Sequence, residues 1–373
     1  MRFLVLATNY PSNENKACSN YIHTRNLYYQ AHGIDVDVLN FASSVGYEID
    51  GIKVYSLSDF KNKLLNLKYD LLVSHASNLR NHYRFLLKFG GKFLKIVFFY
   101  HGHEVLKINQ VYSKPYPFVN RSRVKELFQD IYDSVKLFVW RHYINSHYQK
   151  LYHVFVSHWM KDEFMRWVHP ESRAIEGRTT ITYNSVGELF EKESYDKTTP
   201  KKFDFITIRS VLDGSKYAVD IVNDFAKKYA DKNFLLIGKG TFFNHYEKAP
   251  NITWINNRIS HAEMLDLLNA SKCALMPTRT DAQGVMMCEM ATFGLPLITS
   301  DIPVCHEVFD GFSGIGLISN DNYLSCDINA IYDDIKTEAG KNERYFYSKV
   351  MAQELAELNK IIEHKIVSMP FLQ

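Results

Sequence analysis

The chain has 373 residues, of which 46% are hydrophobic and 23% are charged. A chain of this length exceeds one ordinary core and predicts two domains of roughly 150 to 200 residues each. Its 44 basic and 41 acidic residues leave only a slight positive excess, which argues against a general nucleic-acid binder.

Neither targeting nor disulfide signals stand out. The apolar run in MRFLVLATNY is too short for the core of a signal peptide, and no later run approaches the roughly 20 residues of a membrane helix. The cysteines are odd in number and include no CxxC pair, which predicts neither a disulfide framework nor a zinc site. They are Cys18, Cys273, Cys288, Cys305 and Cys326. We therefore expect a cytoplasmic protein.

Short apolar runs alternate with longer amphipathic segments from the first residue onward. The predicted strands of the first half are residues 2–7, 35–39, 70–74, 94–100 and 152–157. The pattern restarts further along the chain, where the predicted strands are residues 203–208, 233–238, 252–255, 273–277 and 296–300. Strands that are apolar on both faces and separated by helices indicate parallel sheets.

The fold class expected from this pattern is α/β, with two Rossmann-like, doubly wound lobes facing a central cleft. The predicted domains are residues 1–184 and 203–341, joined by a polar linker at 185–202. Residues 342–373 form a predicted helical segment, which could return to the first lobe. Ligands of such sheets bind beyond the carboxyl ends of the strands, so functional residues should follow strands.

The stretch CALMPTRTDAQGVMMCEMATFGLPLITSD, residues 273–301, has the most informative order of residues. A strand ends at a proline, Asp281 follows in a loop, and Gly284 opens a short helix that starts at Val285 and contains Glu289. A glycine at a helix start lets backbone N–H groups approach a diphosphate, whose charge the helix dipole favours. Glu289 could then accept hydrogen bonds from ribose, and Asp281 could hold the sugar beyond the phosphates.

This order resembles the donor-site signature of the family-four retaining glycosyltransferases, which have the GT-B architecture. The family pattern is Glu, seven residues, Glu, and this chain has Asp281 in place of the first Glu. The resemblance implies that residues 1–184 are the acceptor side and residues 203–341 the nucleotide-sugar donor domain. It also implies a hexose-type donor linked to UDP or GDP, with no separate cofactor.

Further matches extend over nearly the whole chain. Arg209 and Lys216 match the Arg and Lys that bind the donor diphosphate in the family, and Gly238 lies in its glycine-rich loop. Arg offers a bidentate fork and Lys a point charge, which both suit a departing diphosphate. Glu307 matches a donor-site acid, although Pro303 and Val304 stand where Gly-Gly is commoner.

In the first half, His101 follows a predicted strand as the histidine of the family does, and it is assigned to the transferred sugar or the acceptor. His103 is the alternative candidate for this role. The loop NYPSNENKACSNYI lacks the double glycine of the family, and its Asn9 is assigned with His103 to the acceptor side.

The resemblance implies front-face substitution with retention, in which the departing diphosphate helps to deprotonate the acceptor hydroxyl. No DxD-like carboxylate pair is placed to bridge a divalent ion, so no metal is expected. The acceptor would be a glycan or a lipid-linked molecule of surface polysaccharide or glycoconjugate synthesis.

Residues 107–150 are basic and rich in aromatic side chains, with eight Lys or Arg against three Asp or Glu. Such a segment suits docking on an anionic inner membrane surface. A helix that packs its aromatic side chains into the first lobe and leaves a basic face in solvent explains the composition equally well.

Two further alternatives stay open for the function. The same architecture could serve a sugar phosphorylase or a nucleotide-sugar epimerase. It could also serve an inactive module that binds nucleotide sugars, because a fold does not determine a function.

Overall fold

The structure is a computed structural model that describes residues 1–13, 20–119, 122–257, 259–335 and 340–364. Cys18 and Arg121 lie outside these ranges. The chain divides into two compact units. The first comprises Met1–Lys107, Tyr132–Tyr183 and Met351–Gln373, and the second comprises Ile108–Ile131 and Asn184–Val350.

The first unit is built on an eight-stranded sheet, counted within the described residues. Its strands are β1 (Arg2–Ala7), β2 (Asp35–Asn40), β3 (Tyr47–Ile49), β4 (Ile52–Tyr55), β5 (Leu71–His75), β6 (Ile96–Tyr100), β7 (Leu151–Phe155) and β8 (Thr179–Ile181). Their order is β3-β4-β2-β1-β5-β6-β7-β8, and only β3 and β4 pair antiparallel. Strands β5, β6 and β7 are buried along their whole length, as parallel strands covered on both faces must be.

The second unit contains a six-stranded sheet in the part of the chain that the structure describes. Its strands are β9 (Phe203–Val211), β10 (Phe234–Lys239), β11 (Ile252–Ile255), β12 (Ser271–Met276), β13 (Leu297–Ser300) and β14 (Ile315–Ile318). Their order is β11-β10-β9-β12-β13-β14, and every pair is parallel. The order reverses direction next to β9, which makes this the switch point of the doubly wound sheet.

Helices connect the strands. Those of the first half are α1 (Asn20–Ala31), α2 (Leu57–Asp59), α3 (Arg84–Phe89), α4 (Ile108–Val111), α5 (Arg123–His147), α6 (His158–Val168) and α7 (Ser172–Ile175). Those of the second half are α8 (Glu188–Lys192), α9 (Val219–Lys228), α10 (Phe242–His245), α11 (His261–Asn269), α12 (Val285–Phe293), α13 (Pro303–Val308), α14 (Ile328–Asp334) and α15 (Tyr347–Glu363).

The two-lobe α/β fold class is confirmed, and every predicted strand is found within a few residues of its predicted bounds. The sequence pattern did not indicate β3, β4, β8 and β14, which are only three or four residues long. The three-residue strands β3 and β8 carry too few alternations for periodicity to identify them.

The C-terminal helix joins the first unit, as the sequence allowed. Glu354 of α15 is fully buried and accepts a hydrogen bond from Arg25 Nε at 2.9 Å and one from the Tyr29 hydroxyl at 2.5 Å. Both partners lie on α1. An ion pair this deeply buried, with its second carboxylate oxygen also bonded, ties the end of the chain to its beginning.

The segment Ile108–Ile131 clusters with the second unit, whereas the sequence pattern placed all of residues 1–184 in one domain. Tyr116 explains the difference. Its ring packs into the apolar core of the second unit, 5.1 Å from the ring of Phe242, and its hydroxyl donates to Asp220 Oδ1 at 2.8 Å. Phe118 and Val119 of the same segment also pack against this core, and such contacts with a distant core have no local sequence signature.

The described residues include no helix that is both long and apolar enough to cross a bilayer. Cys273, Cys288 and Cys305 are buried free thiols, and Cys326 is a half-buried one.

Candidate functional site

The second unit brings its predicted site residues to one edge of its sheet. Arg209 lies near the carboxyl end of β9, Asp281 follows β12, and Glu307 lies on α13, directly after β13. These three strands are parallel neighbours. Their carboxyl ends therefore open at a common edge, where ligands of doubly wound sheets bind.

Arg209 is buried but incompletely satisfied. Its Nη2 donates to the carbonyl of Pro277 at 2.6 Å, and its Nε is buried without a hydrogen-bond acceptor among the described residues. Burial lowers the pKa of the guanidinium, and the Asp281 charge opposes that shift. A buried cation that keeps an unused donor is equipped to bind an anion from outside the chain.

Gly238 on β10 makes room for the backbone at Arg209. A Cβ at this position would lie 2.3 Å from the carbonyl oxygen of Arg209 and 2.8 Å from Leu212. The pairing of β10 with β9 also shifts its register here. The glycine is thus required by the close approach of two strands. The contact explains the glycine at position 238, and its predicted role in donor binding stays a prediction.

Lys216 lies on a short turn, Ser215–Tyr217, that follows β9. Its Nζ is 4.7 Å from the ring centroid of Tyr217 and 5.8 Å from that of Tyr112. Among the described residues, no carboxylate lies within ion-pair distance of this ammonium group. The lysine is half-buried between two aromatic rings and keeps its positive charge available.

The support of the Lys216 turn was not anticipated from the sequence. Arg279 forms a bidentate pair with Asp220, at 2.9 and 2.6 Å, and its Nη1 also donates to the Ser215 carbonyl at 2.8 Å. The Arg279 backbone N–H donates to the carbonyl of Lys216 at 2.8 Å. Arg279 therefore holds the lysine turn against the loop that carries Asp281. Its only sequence signal is its place two residues before Asp281.

Asp281 forms the turn that precedes α12. Its Oδ1 accepts from the backbone N–H groups of Ala282 at 2.8 Å and Gln283 at 3.4 Å. Gly284 follows with a φ of +72°, a left-handed conformation that favours glycine, and Val285 begins the helix. The first N–H groups of α12 have no carbonyl acceptors within the helix, so they are available to a phosphate. The predicted helix, from Gly284 to Gly294, is confirmed.

Glu289 is half-buried on α12, one turn beyond Val285. Burial raises its pKa to about 7, although the backbone N–H of Gly187 lowers it in part. The carboxyl group therefore changes its charge near neutral pH. Next to it, buried Gln283 accepts from the Asn184 N–H at 2.6 Å and donates to the Asn184 carbonyl at 2.8 Å. This amide pair fixes the start of α12 to the segment that precedes α8.

The first unit presents a different set of groups at the carboxyl edge of its sheet. His101 follows β6, and its Nε2 lies 3.1 Å from Nδ1 of His75 at the end of β5. The Tyr21 ring lies 4.5 Å from the His101 ring. Burial, with the nearby charge of Arg25, lowers the pKa of both histidines, so both imidazoles are neutral at physiological pH.

Buried Glu104 shapes the His101 loop. Its carboxylate accepts a hydrogen bond from the backbone N–H of His101. Burial raises the pKa of Glu104, while the backbone N–H groups of His101 and Gly102 lower it. The acid lies three residues after the histidine, a spacing that could have indicated such a loop.

The remaining predicted site residues are more exposed to solvent. His103 is exposed, and its backbone carbonyl accepts from Lys136 Nζ at 2.8 Å. Asn9 is exposed in the loop after β1, the neighbour of β5. Glu307 is half-buried on α13, whose first turn contains Pro303. Within the described ranges, no group of three or more His, Cys, Asp or Glu side chains is arranged to hold a metal ion.

Part of the chain is similar in sequence to a known protein family. Residues 205–335, which include Arg209, Lys216, Asp281, Glu289 and Glu307, match the family model described as glycosyl transferases group 1. No curated protein sequence matches the chain.

Several solved structures share the fold over nearly the whole chain. Sucrose-phosphate synthase from Thermosynechococcus elongatus has a TM-score of 0.71 at 14% identity, covering 97% of this chain and 99% of that one. Anabaena HepE, solved with UDP and glucose, has a TM-score of 0.66 at 13% identity, covering 96% and 100%. WaaG, a glycosyltransferase involved in lipopolysaccharide biosynthesis, has a TM-score of 0.57 at 13% identity, covering 99% and 96%.

The fold and the matched region define a glycosyltransferase of the GT-B type. The sequence similarity to the glycosyl transferases group 1 lies in residues 205–335.

Proposed function

We propose that the chain transfers a hexose-type sugar from a UDP- or GDP-linked donor to a hydroxyl of a glycan or lipid-linked acceptor, with retention of configuration. The observation that carries the proposal is the pair of cations at the carboxyl edge of β9. Arg209 is buried with an unused donor, and Lys216 has only aromatic neighbours for its charge. Both lie in one unit with the first N–H groups of α12, and together they suit a diphosphate.

In the proposed reaction, the acceptor oxygen bonds to the anomeric carbon on the face from which the diphosphate leaves. The bond between the anomeric carbon and the phosphate oxygen breaks with its electron pair, and the acceptor proton passes to the departing diphosphate. Arg209 and Lys216 stabilise the charge that develops there, so neither a protein nucleophile nor a metal ion is needed. Glu289 holds the ribose, Asp281 the sugar, and Glu307 assists on the donor side.

The first unit is assigned to the sugar and the acceptor. His101 is kept neutral by burial and can exchange hydrogen bonds with sugar hydroxyls without attracting the diphosphate. Asn9 follows β1 and His103 follows β6, two strands of the same sheet with β5 between them. Both residues are exposed and are assigned to the acceptor. The structural neighbours solved with UDP and glucose, or involved in lipopolysaccharide biosynthesis, make UDP-hexoses and glycolipid acceptors the first choices for assay.

The test uses the purified chain and a panel of UDP- and GDP-sugars. We expect one donor to raise the melting temperature and to release nucleoside diphosphate slowly, equally well in excess chelator. With an acceptor, NMR of the product should show the anomeric configuration of the donor. An inverted product, or a metal requirement for the chemical step, would contradict the mechanism. Phosphate-dependent cleavage would indicate a phosphorylase, inversion at another sugar carbon an epimerase, and binding without turnover an inactive module.

A further inference from the structure

Helix α5 carries an apolar face that nothing in the described chain covers. Six of its apolar side chains each expose between 51% and 71% of their surface. These residues, which we call the α5 stripe, are Val124, Leu127, Phe128, Ile131, Val135 and Phe138.

The spacing of the α5 stripe matches one side of a helix. Its members follow each other at intervals of three, one, three, four and three residues, which at about 100° per residue places them within a sector of about 100°. The opposite side of the same helix is buried through Leu137, Trp140, Tyr143 and Ile144. The helix thus has two apolar sides, and packing within the chain accounts for one of them.

The charges around the α5 stripe are mainly positive. Arg123 and Arg141 border it on one side and Lys125 on the other, and all three are exposed. Within Arg123–His147, which the structure describes completely, Asp133 is buried against Lys136 and Glu126 projects from the other side of the helix. Asp130 lies about 20° around the helix from Arg123 and Arg141, and its Oδ1 accepts a hydrogen bond from Asn109 at 3.1 Å. The border of the stripe therefore carries three cations and one acid. This distribution revises the sequence interpretation, because Lys136 is a buried structural charge and not part of the basic surface.

An apolar face with a cationic border favours one occupant over the others. A second copy of the same helix would bring three more cations against Arg123, Lys125 and Arg141 and only one bordering carboxylate, that of Asp130, so positive charges would outnumber negative ones. Anionic lipid headgroups supply the missing negative charge, and the acyl region beneath them accepts the six apolar side chains.

We propose that the α5 stripe is a docking surface for an anionic lipid bilayer, with the helix in the headgroup plane and Phe128 and Phe138 in the acyl region. This surface goes beyond the transfer reaction. It would bring the enzyme to a membrane-borne acceptor.

The experiment measures sedimentation of the full chain with vesicles of phosphatidylcholine alone, or with phosphatidylserine at about one part in three. We expect binding to the anionic vesicles that weakens with added salt, and little binding to the neutral ones. Phe128→Ser with Phe138→Ser should weaken binding at least about tenfold, because two large apolar groups no longer leave water. Arg123→Gln, Lys125→Gln and Arg141→Gln together should weaken it about a hundredfold.

Matched controls alter equally exposed residues elsewhere. Leu87→Ser with Leu94→Ser removes two exposed apolar side chains, and Lys53→Gln, Lys61→Gln and Lys92→Gln remove three exposed charges. Both controls should bind like the unaltered chain. Release of nucleoside diphosphate from a soluble donor, without vesicles, should be unchanged in every variant, which separates this proposal from the proposed chemistry.

Three results would overturn the proposal. The first is no binding to either vesicle, or equal and salt-independent binding to both. The second is an equal loss of binding in the control and α5 variants. The third is a dimer, seen by sedimentation velocity without lipid, that Phe128→Ser with Phe138→Ser dissociates, because the stripe would then be covered by a second copy.

Discussion

Two buried cations of the first unit are paired with carboxylates, whereas two cations at the sheet edge of the second unit are not. In the first unit, Arg25 meets Glu354 at 2.9 Å and Lys136 meets Asp133 at 2.7 Å, so each charge is neutralised inside the fold. In the second unit, Arg209 and Lys216 have no carboxylate within ion-pair distance among the described residues. Charge that is paired holds a fold together, whereas charge left unpaired at the edge of a sheet is available to a ligand.

The second unit also contains a paired cation, which can be compared with Arg209 and Lys216. Arg279 lies in the same region as Arg209, yet it forms a bidentate pair with Asp220. We therefore expect removal of paired charges to change stability or positioning, and removal of unpaired charges to change catalysis.

The largest expected effect concerns the paired charge at Glu354. Glu354→Gln leaves the Arg25 guanidinium buried without a counter-charge, so the free energy of unfolding should fall by about 3 to 5 kcal/mol. Urea unfolding measures it. Glu357→Gln on the same helix breaks only the surface pair with Lys360 and should cost less than about 1 kcal/mol. Equal losses in the two variants would refute a structural role for the buried pair.

Removal of the unpaired charge of Lys216 should change catalysis and leave stability unchanged. Lys216→Met should lower the transfer rate by about a hundredfold to a thousandfold, because the leaving diphosphate loses a positioned cation. The melting temperature should stay unchanged. Lys227→Met, at an exposed position on α9, is the control and should transfer normally. A rate within twofold of the unaltered enzyme would show that Lys216 does not act on the leaving group.

The two acids on either side of Gly284, Asp281 and Glu289, should have different roles. Asp281→Asn should lower transfer about tenfold to a hundredfold, as expected for a lost charge-assisted hydrogen bond to the sugar, with little change in nucleoside diphosphate binding. Glu289→Gln should weaken binding of both nucleoside diphosphate and intact donor. Calorimetric titration beside initial rates tests this division. The reverse pattern would mean that the donor lies the other way round.

Arg279 is a paired charge that should affect catalysis only by positioning Lys216. Arg279→Gln releases the lysine turn and should lower the turnover number by several-fold to about tenfold. In the Lys216→Met background the same change should add little, because the group that it positions is already absent. A full additional loss in the double variant would assign Arg279 a separate role.

The smallest expected effect is the pH dependence of stability at Glu289. The ordinary pKa of the carboxyl group is 4.5 and burial raises it to about 7, so the folded state binds the extra proton between these values. The contribution of this group to stability therefore falls as pH rises from about 4.5 to 7. Glu289→Gln removes that dependence, and its melting temperature relative to the unaltered chain should be higher at pH 8 than at pH 5. Exposed Glu247→Gln serves as the control, and an equal difference at both pH values would contradict the assignment.

Much of the candidate site could be recognised from the sequence because its signals are local. The apolar runs identify the strands, and Gly284 and Gly294 delimit α12 through backbone conformations that favour glycine. The positions of Arg209, Asp281 and Glu289 relative to these elements follow directly, because each lies within a few residues of a recognisable strand or helix end.

The sequence by itself thus determined the two α/β lobes, the strand order along the chain and the residues that follow the strands. Only the tertiary structure decided which charges are paired. Glu354 lies 329 residues from Arg25, and Arg279 lies 59 residues from Asp220. It also decided that Lys136 is buried while the α5 stripe is exposed. Periodicity reports that a helix has an apolar side, but only the packing of distant segments determines which side is covered.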